Sequence, residues 1–429
     1  MSDFSDTVGK FAGAKALFCL YDWPNKVGGP NIWAMRLLPE LARSGWEVEV
    51  AALCHCEPGA EYSTQIVRHL KGHGIKVHAM PYTQHAIDAA RWLLRVASQC
   101  QPDIFIANCV VSAFYAGRYL REQDRPSIIV LHSDDPFHHS ILEMAKRHPA
   151  FLPSRFVAVS RQLADLVVTT LGCDAGVSRI PYGVPVPDRC TPNQTDLTLL
   201  YAGRFVVEQK QILQVTRALI TCAETYPSVR AVLCGDGTER TAMLDLVKKS
   251  TAGNRVQVVG PLGLAEVQDL MLRSGAIVLL SDYEGLPIAL MEGMACGLVP
   301  IVTDMRSGIP ELVKDGQNGM VVSDRGPSFL EAVGRLQQDQ DLRRRLGQNA
   351  RKTIIERYSD AAGTAGWLGL FQELSMKEGR SRRPFVVPRR IRVPPVVGAL
   401  GREDVRFSIA RAVRGRARRL RDFVTGRGR

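Results

Sequence analysis

Short apolar runs alternate with longer amphipathic stretches along most of this chain, and few architectures accommodate that rhythm. KALFCL (15–20), EVEVAAL (47–53), IKVHAM (75–80), DIFIAN (103–108), SIIVLH (127–132) and RFVAVS (155–160) each have the length and composition of a buried strand. Stretches such as WAMRLLPELARSG (33–45) carry apolar residues at helical spacing between them. Strand–helix–strand repetition predicts a parallel sheet. PYGVPVPDRCTPNQTD (181–196) is Pro-rich and polar and breaks the series. A second series runs to about residue 325, and helical segments follow, including SDAAGTAGWLGLFQEL (359–374). The expected fold class is α/β, with two doubly wound, Rossmann-like parallel-sheet domains facing a central cleft. The expected boundaries are 1–183 for the first domain, 184–196 for a linker and 197–358 for the second domain. A last helix at 359–376 and a basic tail at 377–429 complete the chain.

Function concentrates at strand ends in the second half. AIVLLSD (276–282) suits a buried parallel strand, and EGLPIALME (284–292) follows it at once. Pro287 suits the first turn of a helix, where its missing N–H costs nothing. Glu284 then lies on the loop at the strand's carboxyl end and Glu292 on the following helix. Amides of Gly285, Leu286 and Ile288, with Pro287 among them supplying no N–H, lead into the helix's positive end. An isolated pair of carboxylates is more simply a solvated pair. Two further strand ends tilt the reading: YAGRFVVEQK (201–210) places Arg204 and Lys210 after one apolar run, and VLCGDG (232–237) ends another in Gly235, Asp236 and Gly237. Cations, glycines and carboxylates at three strand ends describe one crevice for an anionic ligand. In the first half, YDWPNKVGGPNIW (21–33) makes a tight turn at Gly28-Gly29 into a helix N-terminus, and G-x-G-x-x-G is absent.

GR…EQK, CGDG and EGLPIALMEGMACGLVPIV, followed by SGIPELVKDGQNGMVV, resemble the donor half of the retaining glycosyltransferases of family 4, which have the GT-B fold. The match is closest across about residues 197–325 and extends more loosely over 14–376. The resemblance implies a retaining transfer of a sugar from a nucleotide-diphosphate sugar to an acceptor hydroxyl. No cofactor is expected, and because no D-x-D follows a strand, Arg204, Lys210 and helix amides are expected to neutralise the diphosphate in place of a metal ion. It implies Arg204 and Lys210 on the donor diphosphate, Glu292 on the ribose, and Glu284 with the following amides around the sugar. The donor-binding set is Gly235, Asp236, Gly237, Gly260, Gly285, Leu286, Pro287 and Glu292. The resemblance also implies that the Gly28-Gly29 loop faces phosphates and acceptor, that His132 lines the catalytic centre, and that the last helix crosses back to the first domain. His138 and His139 lie near enough in sequence to His132 to touch the acceptor. Ser307 stands where the family often has a second glycine beside Gly308.

Cys54-His55-Cys56 invites a metal reading, but alternating residues at a strand end point to opposite faces, so packing is the simpler role. Asp134-Asp135 is not the D-x-D of metal-dependent transferases, and Asp339-Gln340-Asp341 falls in a polar helical run with no strand before it. Ten scattered cysteines suit a reducing compartment. The N-terminus lacks a signal-peptide pattern and no run is long enough to span a bilayer, so a cytoplasmic location is expected. The tail from Lys377 holds one Lys and sixteen Arg against four acids, a net +13 in a chain of +12. SRRPFVVPRRIRVPP (381–395) reads as an extended basic linker. EDVRFSIARAVRGRARRLRDFV (403–424) sets Val405, Ile409, Val413, Leu420 and Val424 at helical spacing among arginines, as in a helix lying on an anionic membrane. That pattern suits a glycan or lipid-linked acceptor, and nucleic acid is disfavoured because the rest of the chain sums to −1. Two rivals stay open at this point: a nucleotide-sugar-binding scaffold without turnover, and a nucleotide-sugar epimerase.

Overall fold

A computed structural model describes residues 14–23, 28–172, 176–190, 196–375, 383–395 and 397–402. The first half runs β1 (Lys15–Asp22), α1 (Gly29–Arg43), β2 (Glu47–Cys54), α2 (Gln65–Gly72), β3 (Lys76–Pro81), α3 (Ala86–Cys100) and β4 (Ile104–Ala107). It continues through α4 (Val111–Arg121), β5 (Ser127–Leu131), α5 (Pro136–Arg147), β6 (Arg155–Ala158), α6 (Arg161–Leu171) and β7 (Val177–Arg179). These strands pair in parallel in the order β3-β2-β1-β4-β5-β6-β7. The second half opens with β8 (Leu197–Ala202), α7 (Ile212–Thr225), β9 (Val229–Cys234), α8 (Arg240–Lys249), β10 (Val256–Val259), α9 (Leu264–Leu272) and β11 (Ala276–Leu279). α10 (Ile288–Ala295), β12 (Val299–Thr303), α11 (Ile309–Leu312), β13 (Met320–Val322), α12 (Pro327–Gln338), α13 (Gln340–Arg357) and α14 (Asp360–Ser375) follow. The second sheet has the order β10-β9-β8-β11-β12-β13.

All residues of β4, β5, β11 and β12 are buried, which is why their sequences are continuous apolar runs without alternation. In both sheets strand order reverses beside the first strand, between β1 and β4 and between β8 and β11. Loops leaving the carboxyl ends there diverge and leave a crevice. The six strands read from the first half all form, with ends shifted by a residue or two. His132 stands one residue past β5, and Pro287 is the N-cap of α10. α14 does pack on the first half: Trp367 meets Phe18 and Trp33 with ring centroids 6.1 and 5.4 Å away, and Phe371 meets Trp46 at 4.8 Å.

The tail departs from the sequence reading. Residues 383–395 are extended, but they form a strap bound to the first half instead of a free linker. Phe385 is buried against α3 and α4, and its N–H donates to Gln101 Oε1 at 2.7 Å. Val386 exchanges two hydrogen bonds with Gln123, and the Arg392 carbonyl accepts from Tyr119 Oη at 2.8 Å. Further on, Val397 and Leu400 are buried, and the Ala399 N–H donates to Ser140 Oγ on α5 at 2.9 Å. Prolines explain the form: they remove donors from a segment that cannot be a helix, and backbone groups of Arg383, Phe385, Val386 and Arg392 find side-chain partners instead. Phe385→Ala is expected to cost about 3 kcal/mol, at the lower end for a buried Phe because a surface strap relaxes. Thermal melting and loss of hydrogen-exchange protection at Phe385 and Val386 check this. Segment 403–424 lies outside the described residues. No helix among the described residues is long and apolar enough to cross a membrane.

Candidate functional site

The cation and glycine loops are built against each other. Gly235 has φ 147°, and a Cβ there would lie 1.9 Å from the Gly203 carbonyl oxygen. A Cβ on Gly237 would lie 2.2 Å from the Phe205 carbonyl oxygen. Only glycine permits this approach, so the turn after β9 presses directly on the loop after β8. The Phe205 N–H donates to the Asp236 carbonyl at 2.8 Å, and the Gly203 N–H to the Cys234 carbonyl at 3.0 Å. Phe205 is buried beneath, which fixes the exposed Arg204 beside it. Gly260, after β10, closes the row with its α-carbon near the Arg240 guanidinium.

Gln209 joins that loop to the one after β11. Its Oε1 accepts from Arg204 Nη2, and its Nε2 donates to the Tyr283 carbonyl at 3.0 Å and to Glu284 Oε2 at 3.3 Å. Lys210 Nζ pairs with Glu284 Oε1. Glu284 is 6% exposed, so its charge is held by a cation and an amide together. Leu286, Pro287 and Gly285 are buried behind it, and the first-turn amides of α10 have no intrahelical acceptor. Glu292, one turn on, reaches across the chain to pair with Arg36 of α1.

The first half supplies the opposite wall. A Cβ on Gly285 would lie 1.9 Å from the His132 carbonyl oxygen, so the donor-side loop and the end of β5 touch backbone to backbone. Gly29 is near Ile288 of α10, 3.5 Å from where its Cβ would sit, and Gly28 caps α1. His132 is buried, with Nδ1 against Tyr182 Oη and Nε2 against Asn108 Oδ1. Burial pushes its pKa well below the usual value, with the neighbouring His138 adding to this, so the ring is neutral. Both its nitrogens are engaged by neighbours within the wall. His138 is equally committed: its Nε2 accepts from the His132 N–H and its Nδ1 binds Asp135, 2.8 Å away. His139 is exposed and faces Asp134. Gly308 completes the seam, its N–H donating to the Gly285 carbonyl at 2.7 Å. Ser307 fits the turn, accepting from the Ile309 N–H at 3.1 Å.

The structure thus gathers Arg204, Lys210, Glu284 and Gly285 at one seam with the end of β5, and sets Glu292 against α1. Gln209, Arg36, Asn108 and Tyr182 escaped the sequence reading. Gln209 alone left a trace there, as the middle residue of EQK. The remaining three are identified only by partners dozens to hundreds of residues away. Asp339 caps α13 through the Leu342 N–H, a structural role. Cys54 is buried, and His55 is stacked between Trp23 and Tyr82.

Known proteins match this architecture in both halves. The family model for glycosyl transferases group 1 covers residues 188–353, and that for glycosyltransferase family 4 covers 27–186. The glycogen synthase of Mycobacterium tuberculosis (strain ATCC 25618 / H37Rv) is 26% identical over 353 residues, 73% of this chain and 83% of that protein. The N-acetyl-alpha-D-glucosaminyl L-malate synthase of Bacillus anthracis is 30% identical over 168 residues, 39% of this chain and 42% of that protein. Among solved structures, Anabaena HepE in complex with UDP superposes with a TM-score of 0.69 at 19% identity, over 84% of this chain and all of that one. Sucrose-phosphate synthase from Thermosynechococcus elongatus gives 0.68 at 17% identity, over 84% and 99%. With both family models in order along the chain and a seam built at the junction of its two sheets, the chain belongs to the family 4 glycosyltransferases of the GT-B fold.

Proposed function

We propose that the seam transfers a sugar from a nucleotide-diphosphate sugar to an acceptor hydroxyl, retaining anomeric configuration and using no metal ion. The observation that carries the reading is the joined set Arg204–Gln209–Glu284–Lys210, where cations and a carboxylate meet the glycine turn and the start of α10. Departure of a diphosphate is the costly step, and charge placed where it develops lowers that barrier. Arg204, Lys210 and the α10 amides fill this role without a divalent ion. Glu284 is engaged on both oxygens by Gln209 and Lys210, which suits orienting the sugar better than attacking it. Glu292, shared with Arg36, would hold ribose hydroxyls. The HepE structures in complex with UDP and UDP-glucose support such a donor. With an α-linked donor, the first product detected by NMR is expected to be α-linked, and activity is expected to survive EDTA. A β-linked product, or complete loss in EDTA restored only by Mg²⁺ or Mn²⁺, would contradict the reading.

The proposal includes the tail. Residues 403–429 carry nine arginines and three acids, and we assign them contact with an anionic membrane that presents the acceptor. The expected result is sedimentation of the full chain with anionic vesicles at moderate salt, and its loss in a chain ending at Arg402, which keeps the strap. Equal binding by both, or by neither, would contradict this.

A further inference from the structure

Three aromatic side chains stand in register above the carboxyl edge of the first sheet. The parallel pairing aligns Asp22 with Cys54 and Cys54 with Pro81. It continues one residue further, with the His55 N–H donating to the Asp22 carbonyl at 2.8 Å and the Tyr82 N–H to the Cys54 carbonyl at 2.7 Å. Trp23, His55 and Tyr82 are therefore successive rungs of β1, β2 and β3 on one face of the sheet. Rungs about 4.8 Å apart bring flat rings into stacking range. The Trp23 and His55 centroids lie 3.3 Å apart with planes 16° from parallel, and those of His55 and Tyr82 lie 3.8 Å apart at 21°.

Trp23 is the end of the stack that lies toward the crevice. His55 is covered on both faces, and Tyr82 ends the row on the edge strand β3. Trp23 is 42% exposed, and with His55 stacked on its β2 side its other face is turned toward the side of β4. His132 follows β5, two strand spacings or about 10 Å from β1. Burial pushes His55 down to about 4, so the stack carries no charge at neutral pH and is a poor partner for a diphosphate.

We propose that Trp23, backed by His55 and Tyr82, is a stacking platform for a pyranose ring of the acceptor, one or two sugars from the receiving hydroxyl. A pyranose presents a flat face of C–H bonds, weakly positive, to the negative face of an indole, while its hydroxyls point outward to water. A rigid, preassembled ring offers that face at little entropic cost. This rests on the transferase reading above, and the test separates the two.

The experiment is saturation-transfer NMR on the full chain with the methyl glycosides of glucose, galactose, mannose and N-acetylglucosamine, alongside titration with UDP. At least one glycoside should receive saturation at its ring C–H protons. Trp23→Ala should weaken that binding on the order of tenfold, Trp23→Phe should restore much of it, and Tyr82→Ala should weaken it less. UDP affinity should be unchanged in all three variants. Absence of saturation transfer to all four glycosides while UDP binds, or equal binding by wild type and Trp23→Ala, would overturn the platform and leave the donor site intact. Failure to bind UDP would instead count against the transferase reading.

Discussion

Arg204→Ala is expected to lower kcat by about 10²–10³, as for loss of one preorganised contact to a developing anion. The guanidinium is exposed and held by a single hydrogen bond to Gln209, so its loss should leave thermal stability nearly unchanged. Lys210→Ala should lower kcat as much and also lower the melting temperature. It strips the cation from Glu284, a nearly buried carboxylate, and an uncompensated buried charge costs several kcal/mol. Steady-state kinetics with parallel melting curves distinguish the two effects. Near wild-type turnover in both variants would remove the diphosphate role from this loop.

Gly285→Ala is the other large effect. The added methyl would sit 1.9 Å from the His132 carbonyl oxygen and 2.7 Å from its carbonyl carbon, whereas ordinary contacts lie beyond 3.0 Å. Neither backbone segment yields as a flexible side chain would, so the two halves must part by roughly 1 Å at the seam. Misplacement of that size costs roughly a hundredfold in a reaction that depends on alignment. The expected result is a kcat loss of at least that order with UDP affinity little changed, because the donor-side loops remain intact among themselves. Unaltered kcat would show that closure at this seam is not part of turnover.

How much of this was legible in the sequence depended on the range of the interaction. Apolar runs marked the strands of the first half because burial on both faces leaves β1, β2, β4, β5 and β6 little other composition, and the half-buried edge strand β3 still keeps apolar residues. Glu284, Gly285 and Arg204 could be placed because each lies on the loop leaving its strand's carboxyl end. Arg36 with Glu292 could not, since neither residue carries a local signal for a partner 256 positions away. His132 was located by family pattern, but its neutral, doubly bonded state depends on Asn108 and Tyr182, which no spacing rule connects. The strap was misread for a related reason: its prolines correctly excluded a helix, while Phe385 finds its hydrogen-bond partners at Gln101 and Ser98, nearly 290 residues back.

The most direct test of sugar transfer is incubation with a panel of radiolabelled nucleotide sugars, with and without acceptor. The expected result is that one donor loses its label to the acceptor with stoichiometric release of nucleoside diphosphate, and that Arg204→Ala suppresses both together. An isomerised nucleotide sugar, or donor bound and recovered unchanged across the panel, would contradict it.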